Sequence, residues 1–141
     1  MPDVLFREVF KVDRGAFDTA GDASGSIKRT LKKMGIDSTI VREVAISSYE
    51  LELNLVIHSL GGELVLEFTP DRLYLISRDT GPGIPDISLA LREGYSTASE
   101  AVRNMGFGAG MGLPNVKRHS HVFEIESAPP KGTTIKAIYN L

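Results

Sequence analysis

Glu50 and Asn54 stand four residues apart in a segment whose other positions are mostly apolar, the spacing of one helical turn. A carboxylate and a carboxamide so placed suit proton and divalent-metal chemistry. The carboxylate can take a proton from water or from a substrate hydroxyl. The Asn side-chain carbonyl is a hard oxygen of the kind Mg²⁺ prefers. The pair belongs to a longer polar series, Glu43, Ser47, Glu50, Asn54 and His58, with steps of four, three, four and four. A helix places such a series on one face. Val44, Leu51 and Leu55 flank it on one side, and Ile46, Leu53 and Ile57 on the other. The stripe reads either as the solvent side of an amphipathic helix or as a polar strip turned toward a ligand.

Two glycine-bearing segments follow. Of the chain's 14 glycines, seven fall between residues 81 and 112. Glycine loses the most backbone freedom on ordering, so a local excess marks tight turns or close backbone approach to a ligand. In Asp79-Thr-Gly81-Pro-Gly83-Ile84-Pro-Asp86 an acidic residue at a strand end precedes Gly-x-Gly. That pattern makes either a plain turn or a fixed acceptor for an exocyclic amine such as adenine's. In Gly106-Phe-Gly108-Ala-Gly110-Met111-Gly112-Leu113, glycine recurs at every second position and leads into a helix. Exposed backbone N–H groups and a helix start favour phosphate. Neither the P-loop pattern nor Gly-x-Gly-x-x-Gly is present. Lys117 and Arg118 reach for phosphate or form a solvated helix face. His119 and His121 lack an evident third metal ligand.

The elements that must carry these residues can be read from periodicity. Residues 4–12 alternate in part, as an edge strand does. A helix is predicted over about 22–34, with Gly35 as its stop. Its Lys28, Arg29, Lys32 and Lys33 make either a solvated face or a dock for an acidic partner. A long helix follows, capped by Asp37 or Ser38 and ended near Leu60 by Gly61-Gly62. Residues 63–69 and 72–77 alternate as strands about a Pro70-Asp71 turn. A short helix is predicted from Asp86 to about Glu93, and a polar stretch from Tyr95 to Gly110. A further helix begins near Gly112, and 122–127 with 133–139 form a closing hairpin. The result is one α/β domain spanning 1–141, an antiparallel-rich sheet with helices on one face.

Composition narrows the field. A chain of 141 residues, 42% hydrophobic and 24% charged, is ordinary for a folded globular domain. With no cysteine, disulfides, thiolate metal sites and cysteine nucleophiles are excluded. A net charge of -2 gives no basis for bulk attraction to nucleic acid. No apolar run reaches membrane-spanning length, and the first residues lack a signal-peptide pattern. A cytoplasmic location is expected.

Glu50-x-x-x-Asn54, Asp79-x-Gly-x-Gly-Ile84, the 106–112 glycine ladder and Gly132-Thr133 occur in the order seen in the GHKL ATPases, which the chain resembles over about residues 37–140. The resemblance implies the Bergerat ATP-binding fold, a two-layer α/β sandwich with a mixed, mostly antiparallel sheet. Within that superfamily the chain is similar to the anti-sigma-factor serine kinases and the stressosome switch kinases. The runs Gly83-Ile-Pro-Asp-Ile-Ser, Gly94-Tyr-Ser-Thr and Gly110-Met-Gly-Leu-Pro-Asn-Val-Lys-Arg look closest to the stressosome branch. It departs from the family pattern at Leu51, Glu52, Leu53 and Leu55, where smaller residues are usual, and its 95–107 stretch is longer.

By position, the resemblance makes Glu50 the general base, Asn54 the Mg²⁺ ligand and Asp79 the adenine acceptor. Gly81, Gly83 and Ile84 would shape the adenine pocket. Gly108, Gly110, Met111, Gly112 and Leu113 would border the phosphates, with residues 95–110 as a lid. Thr133 would support the adenine-binding carboxylate through water, and His58 falls at a position often histidine in the anti-sigma kinases. The implied cofactors are ATP and Mg²⁺. The implied reaction is phosphorylation of a Ser or Thr on a STAS-domain partner. A sigma factor, a PP2C-type phosphatase or a second copy of the chain are further partners that the resemblance allows. Two rivals stand beside the kinase: an ATP-dependent module that sequesters a regulator, and an ATPase that couples hydrolysis to motion.

Overall fold

The computed structural model describes residues 4–81, 87, 91, 112–128 and 131–141, with His58 described in its backbone alone. Among the described residues, five strands make one sheet: β1 (Phe6–Val12), β2 (Gly62–Phe68), β3 (Arg72–Asp79), β4 (Val122–Ala128) and β5 (Gly132–Asn140). Their spatial order is β1-β2-β3-β5-β4, and all four pairings are antiparallel. The α-helices described along their length are α1 (Asp22–Lys33), α2 (Ser38–His58) and α3 (Gly112–Arg118).

Alternation along the strands fixes which face is covered. Leu64, Leu66 and Phe68 of β2 pair with Ser77, Leu75 and Leu73 of β3. These apolar residues join α-helical Ile27, Leu31, Val44, Leu51 and Leu55 in one core. The opposite face bears charged pairs, Arg7–Glu67 at 3.1 Å and Arg78–Glu63 at 3.7 Å. β1 is at an edge of the sheet, and its outward residues alternate with half-buried ones.

α2 is the central helix. It packs against α1, α3 and strands β1, β2 and β3, so it is apolar around most of its circumference. Asp37 caps it, with Oδ2 accepting from Thr39 N–H at 3.0 Å. Its far end closes when the Ser59 hydroxyl donates to Leu55 O at 2.6 Å and Gly61 enters the left-handed region at φ 98°. The same crowding corrects the solvent-side reading of the polar stripe. Ser47, in the middle of it, is completely buried and directed at Tyr139 of β5.

α1 has no side-chain cap of its own, and Gly21 before it sits at φ 103°. Glu52 of α2 supplies the acceptors instead. Its Oε2 accepts from Gly21 N–H at 3.1 Å and Ala23 N–H at 3.2 Å, and its Oε1 from Ser24 N–H at 3.0 Å. These are donors that a helix start leaves unsatisfied.

β3 runs two residues beyond the 72–77 prediction because Asp79 still pairs with Gly62 at the start of β2. Of the helix predicted from Asp86, the described residues carry one helical bond, Leu91 N–H to Ile87 O at 3.0 Å. The 95–110 stretch lies outside the described residues.

Candidate active site

The sheet and α2 create two corners. One is the junction of β3, β5 and the end of α2. There Asp79 Oδ1 accepts from Gly81 N–H at 3.0 Å and from Thr133 N–H at 3.0 Å. The bond from Leu60 N–H to Gly81 O, at 2.9 Å, ties the α2 terminus to the same turn. Gly132, before Thr133, has φ 135°, and a methyl group there would collide with the Asp79 carbonyl oxygen. Glycine is therefore required for β5 to come this close.

Burial pushes the Asp79 carboxyl above its ordinary range, and the two backbone hydrogen bonds pull it back in part. Thr133 supports Asp79 through its backbone N–H. Its buried hydroxyl instead meets the Ser127 hydroxyl at 2.9 Å.

The second corner lies between α2 and α3. Glu50 stands eight residues before His58, roughly 12 Å up the helix axis at 1.5 Å per residue. It faces the first turn of α3, where a Cβ on Gly112 would lie 3.2 Å from Glu50 Oε2. The glycine thus leaves a gap against the carboxylate that any side chain would fill. The Asn115 side chain lies beside Glu50, and Asn115 Oδ1 accepts from Arg118 Nη1 at 3.1 Å. Burial raises the Glu50 carboxyl above the usual carboxylate range, and the Asn115 side chain opposes the rise. Asn54, half-buried, follows one turn along α2 on the same side. Leu113, next to Gly112, is buried in the core with Val116.

The structure thus brings Glu50, Asn54 and Gly112 together, and places Asp79, Gly81 and Thr133 at the other corner. Gly83, Ile84, Gly108, Gly110, Met111 and the side chain of His58 lie outside the described residues. His121 is engaged structurally: Nδ1 accepts from Asn140 N–H at 2.8 Å, and its ring meets Tyr139 edge-on at 6.0 Å. Among the described residues, no group of three or more His, Asp or Glu is placed to hold a metal. Two contacts escaped the sequence reading. Asn115 could have been found from its place three residues after Gly112, which sets both on one helical face. Glu52 was visible only as a charged residue amid apolar neighbours.

A cavity of about 670 Å³ opens elsewhere, between β1 and α1, bordered by Lys11, Asp13, Asp22, Arg29 and Glu52. Glu52 is committed there to the α1 backbone.

Comparison with known proteins identifies the family of this fold. Residues 48–141 match the family described as histidine kinase-, DNA gyrase B-, and HSP90-like ATPase. The chain belongs to that ATPase family. It is 32% identical over 115 residues to the serine/threonine-protein kinase RsbT of Bacillus subtilis strain 168, covering 79% of this chain and 80% of RsbT. It is an ATP-binding, RsbT-like serine/threonine protein kinase. The fold is also that of a chain in the SiaB–SiaC complex from Pseudomonas aeruginosa, with a TM-score of 0.62 at 12% identity. That match covers 96% of this chain and 89% of the other. The mycobacterial sensor histidine kinase MprB is similar with a TM-score of 0.53 at 18% identity, covering 96% and 97%. Among the described residues no helix is long and apolar enough to cross a membrane.

Proposed function

We propose that residues 1–141 act as one kinase domain that transfers the γ-phosphoryl group of ATP to a Ser or Thr hydroxyl of a STAS-domain protein, within a partner-switching pathway of the cytoplasm. The observation that carries this reading is the half-buried Glu50 facing the glycine gap at the start of α3, with Asn54 one turn along.

Phosphoryl transfer depends mainly on positioning and charge neutralisation. Asp79, its Oδ1 pinned by two backbone N–H groups, accepts from the adenine amine. Gly81, Gly83 and Ile84 border the base, and Thr133 N–H keeps Asp79 in place. Gly112, with Gly108, Gly110, Met111 and Leu113, borders the phosphates, and His58 lies at the α2 terminus beside the nucleotide. The donors present suit Mg²⁺, since Asn54 offers a hard oxygen near a carboxylate. When bound, the ion neutralises phosphate charge. Glu50 takes the proton of the acceptor hydroxyl as that oxygen forms its bond to the γ-phosphorus. The bond from the γ-phosphorus to the β–γ bridging oxygen breaks, and ADP leaves.

The relationship to RsbT supports a protein hydroxyl as acceptor. A sigma factor, a PP2C-type phosphatase and a second copy of the chain are the further partners this reading admits. The decisive experiment captures partners with the full chain in Mg-ATP and maps phosphate on them by mass spectrometry. A phosphorylated Ser or Thr that is lost with Glu50→Gln is expected. An unmodified partner, held only with ATP, would replace the kinase by a sequestering module.

A further inference from the structure

α1 is basic on the side that it turns away from the core. Ala23, Ser24, Ile27 and Leu31 bury one face of the helix. Lys28, Arg29, Lys32 and Lys33 are all exposed. A period of about 3.6 residues sets Arg29, Lys32 and Lys33 opposite the buried pair Ile27 and Leu31, with Lys28 on the flank. An ordinary solvated helix face intersperses the two signs, often as pairs three or four residues apart. Residues 28–33 carry four basic side chains and no acidic one. Among the described residues the ion pairs are Arg7–Glu67 and Arg78–Glu63, and neither involves α1. The four charges thus stand unpaired on a chain whose net charge is -2. Lys11 of β1, which lines the same cavity as Arg29, adds a fifth.

The patch is small and bounded. Lys28 to Lys33 cover roughly 8 Å of helix axis at 1.5 Å per residue, and Asp22 and Asp37 stand in sequence on either side. A long polyanion laid along α1 would run onto those carboxylates. Met34, exposed at the end of the helix, offers apolar contact beside the charges. Such a patch fits a folded protein with acidic side chains on its surface, since potentials of opposite sign meet across an interface. Its place relative to the candidate active site also suits this. α1, α2 and α3 pack into one core on the same face of the sheet, with α2 in contact with both of the others. The α2–α3 cleft that holds Glu50 is therefore within roughly 20 Å of α1, two interhelical spacings. A small domain spans about 30 Å, enough to rest on α1 while one of its loops reaches the cleft.

We infer that the basic face of α1 is a docking surface for the acidic side of the protein that receives the phosphate. The inference rests on the proposed transfer to a partner protein. A contact at α1 touches neither the nucleotide nor the reacting atoms. It therefore acts on affinity and association rate for the partner, and leaves the chemical step alone.

The test uses the full chain and the partner captured in Mg-ATP. Arg29→Glu combined with Lys32→Glu reverses two charges at the centre of the patch. The double variant is expected to raise KM for the partner about tenfold, with KM for ATP and kcat within about twofold. Sodium chloride should raise the parent's KM for the partner and affect the variant's much less. Arg72, exposed and alternating with core-facing Leu73, is on the other face of the sheet. Arg72→Glu is the control for net charge and should leave KM for the partner within about twofold. An unchanged or lowered KM in the double variant, or an equal rise in Arg72→Glu, overturns the docking surface. Retention of the parent but not the double variant on phosphatidylserine-containing vesicles, with KM for the partner unaffected, would assign the patch to a lipid surface instead. If the double variant does not fold, Arg29→Gln with Lys32→Gln carries the same measurements, with a rise of about threefold expected. A partner that binds without receiving phosphate overturns the transfer; its dissociation constant then replaces KM, and the same variants still decide the docking. A parent chain that captures no protein overturns both.

Discussion

Glu50 and Glu52 are the same residue type two positions apart on α2, and they leave the helix on opposite sides. Glu52 turns to α1 and is nearly inaccessible, at 3% exposure. Three backbone N–H groups saturate its two oxygens, and they belong to a helix start whose partial positive charge favours an anion. Glu50 turns to α3 and is half-buried, with the Asn115 side chain beside it. Burial raises its proton affinity, and the neighbouring Asn115 side chain offsets this only in part. A carboxylate with a full set of rigid donors is a cap. One that is desolvated and, among the described residues, held by no backbone donor is poised to take a proton. Asp79 lies between them: its Oδ1 is fixed by two N–H groups, and Oδ2 receives no hydrogen bond among the described residues.

Neutralising each glutamate should separate the two roles, and the largest effect is expected on catalysis. Glu50→Gln should lower phosphoryl transfer by about 100-fold or more, the usual contribution of a general base, while ATP affinity stays within about threefold. Glu52→Gln should leave kcat within about twofold. A kinase assay at fixed partner concentration decides this, and comparable losses in both variants would end the distinction. The parent enzyme's activity should also fall on acidification at a pH above the ordinary glutamate range, since Glu50 must be ionised to act and burial raises its pKa.

Stability should reverse the order. Glu52→Ala strands three N–H groups at the start of α1, at a cost of about 2–4 kcal/mol, read by urea denaturation. Glu50→Gln should be more stable than the parent at neutral pH. The sign follows from linkage: a carboxyl whose folded pKa is raised stabilises the fold only while protonated. That stabilisation is complete below the unfolded value of 4.5 and is lost as pH rises through the folded one. The advantage of Glu50→Gln should therefore vanish in acid. A loss of stability at neutral pH would show that Glu50, like Glu52, serves as structure.

The Asp79 corner permits an intermediate test. Gly132→Ala introduces a methyl against the Asp79 carbonyl at φ 135°. It should cost about 2–3 kcal/mol and weaken nucleotide binding. Gly35→Ala is the control, with φ 71° but open space around it, and should cost about 1 kcal/mol with binding intact. Equal nucleotide affinity in the two variants would detach Asp79 from the base-binding role.

What could be read from the sequence follows from how local the cause is. Strand alternation and glycine stops act over a few residues, so the edge strand, the Asp37 cap and the β2–β3 turn were all legible. Glu50 and Asn54 were legible because one turn of helix separates them. The partners of Glu52 lie 28 to 31 residues away, and nothing local distinguishes a glutamate that caps a neighbouring helix from one facing solvent. The fate of Ser47 was hidden for the same reason: its hydroxyl belongs to the polar stripe by spacing and to the core by packing.

That hydroxyl gives the smallest effect and limits how far the lesson of Glu50 extends. Ser47 and Tyr139 are fully buried, face each other, and neither oxygen has a partner at good hydrogen-bonding geometry among the described residues. Burial raises the Tyr139 phenol far above its ordinary range, with the charge of Glu43 adding to the rise and Ser47 opposing it. The phenol therefore stays neutral near neutral pH, where it cannot give up a proton to a base. Being short of partners is thus insufficient for chemistry; the group must also titrate within reach and face an opening. Tyr139→Phe removes an oxygen that gains nothing from its site, so stability should change by no more than about 0.5 kcal/mol, or rise. Phosphoryl transfer should be unaffected. A drop in kcat with the fold intact would mean that the working part of the stripe extends back from Glu50 through Ser47, and the boundary drawn here between poised and merely buried polar groups would have to move.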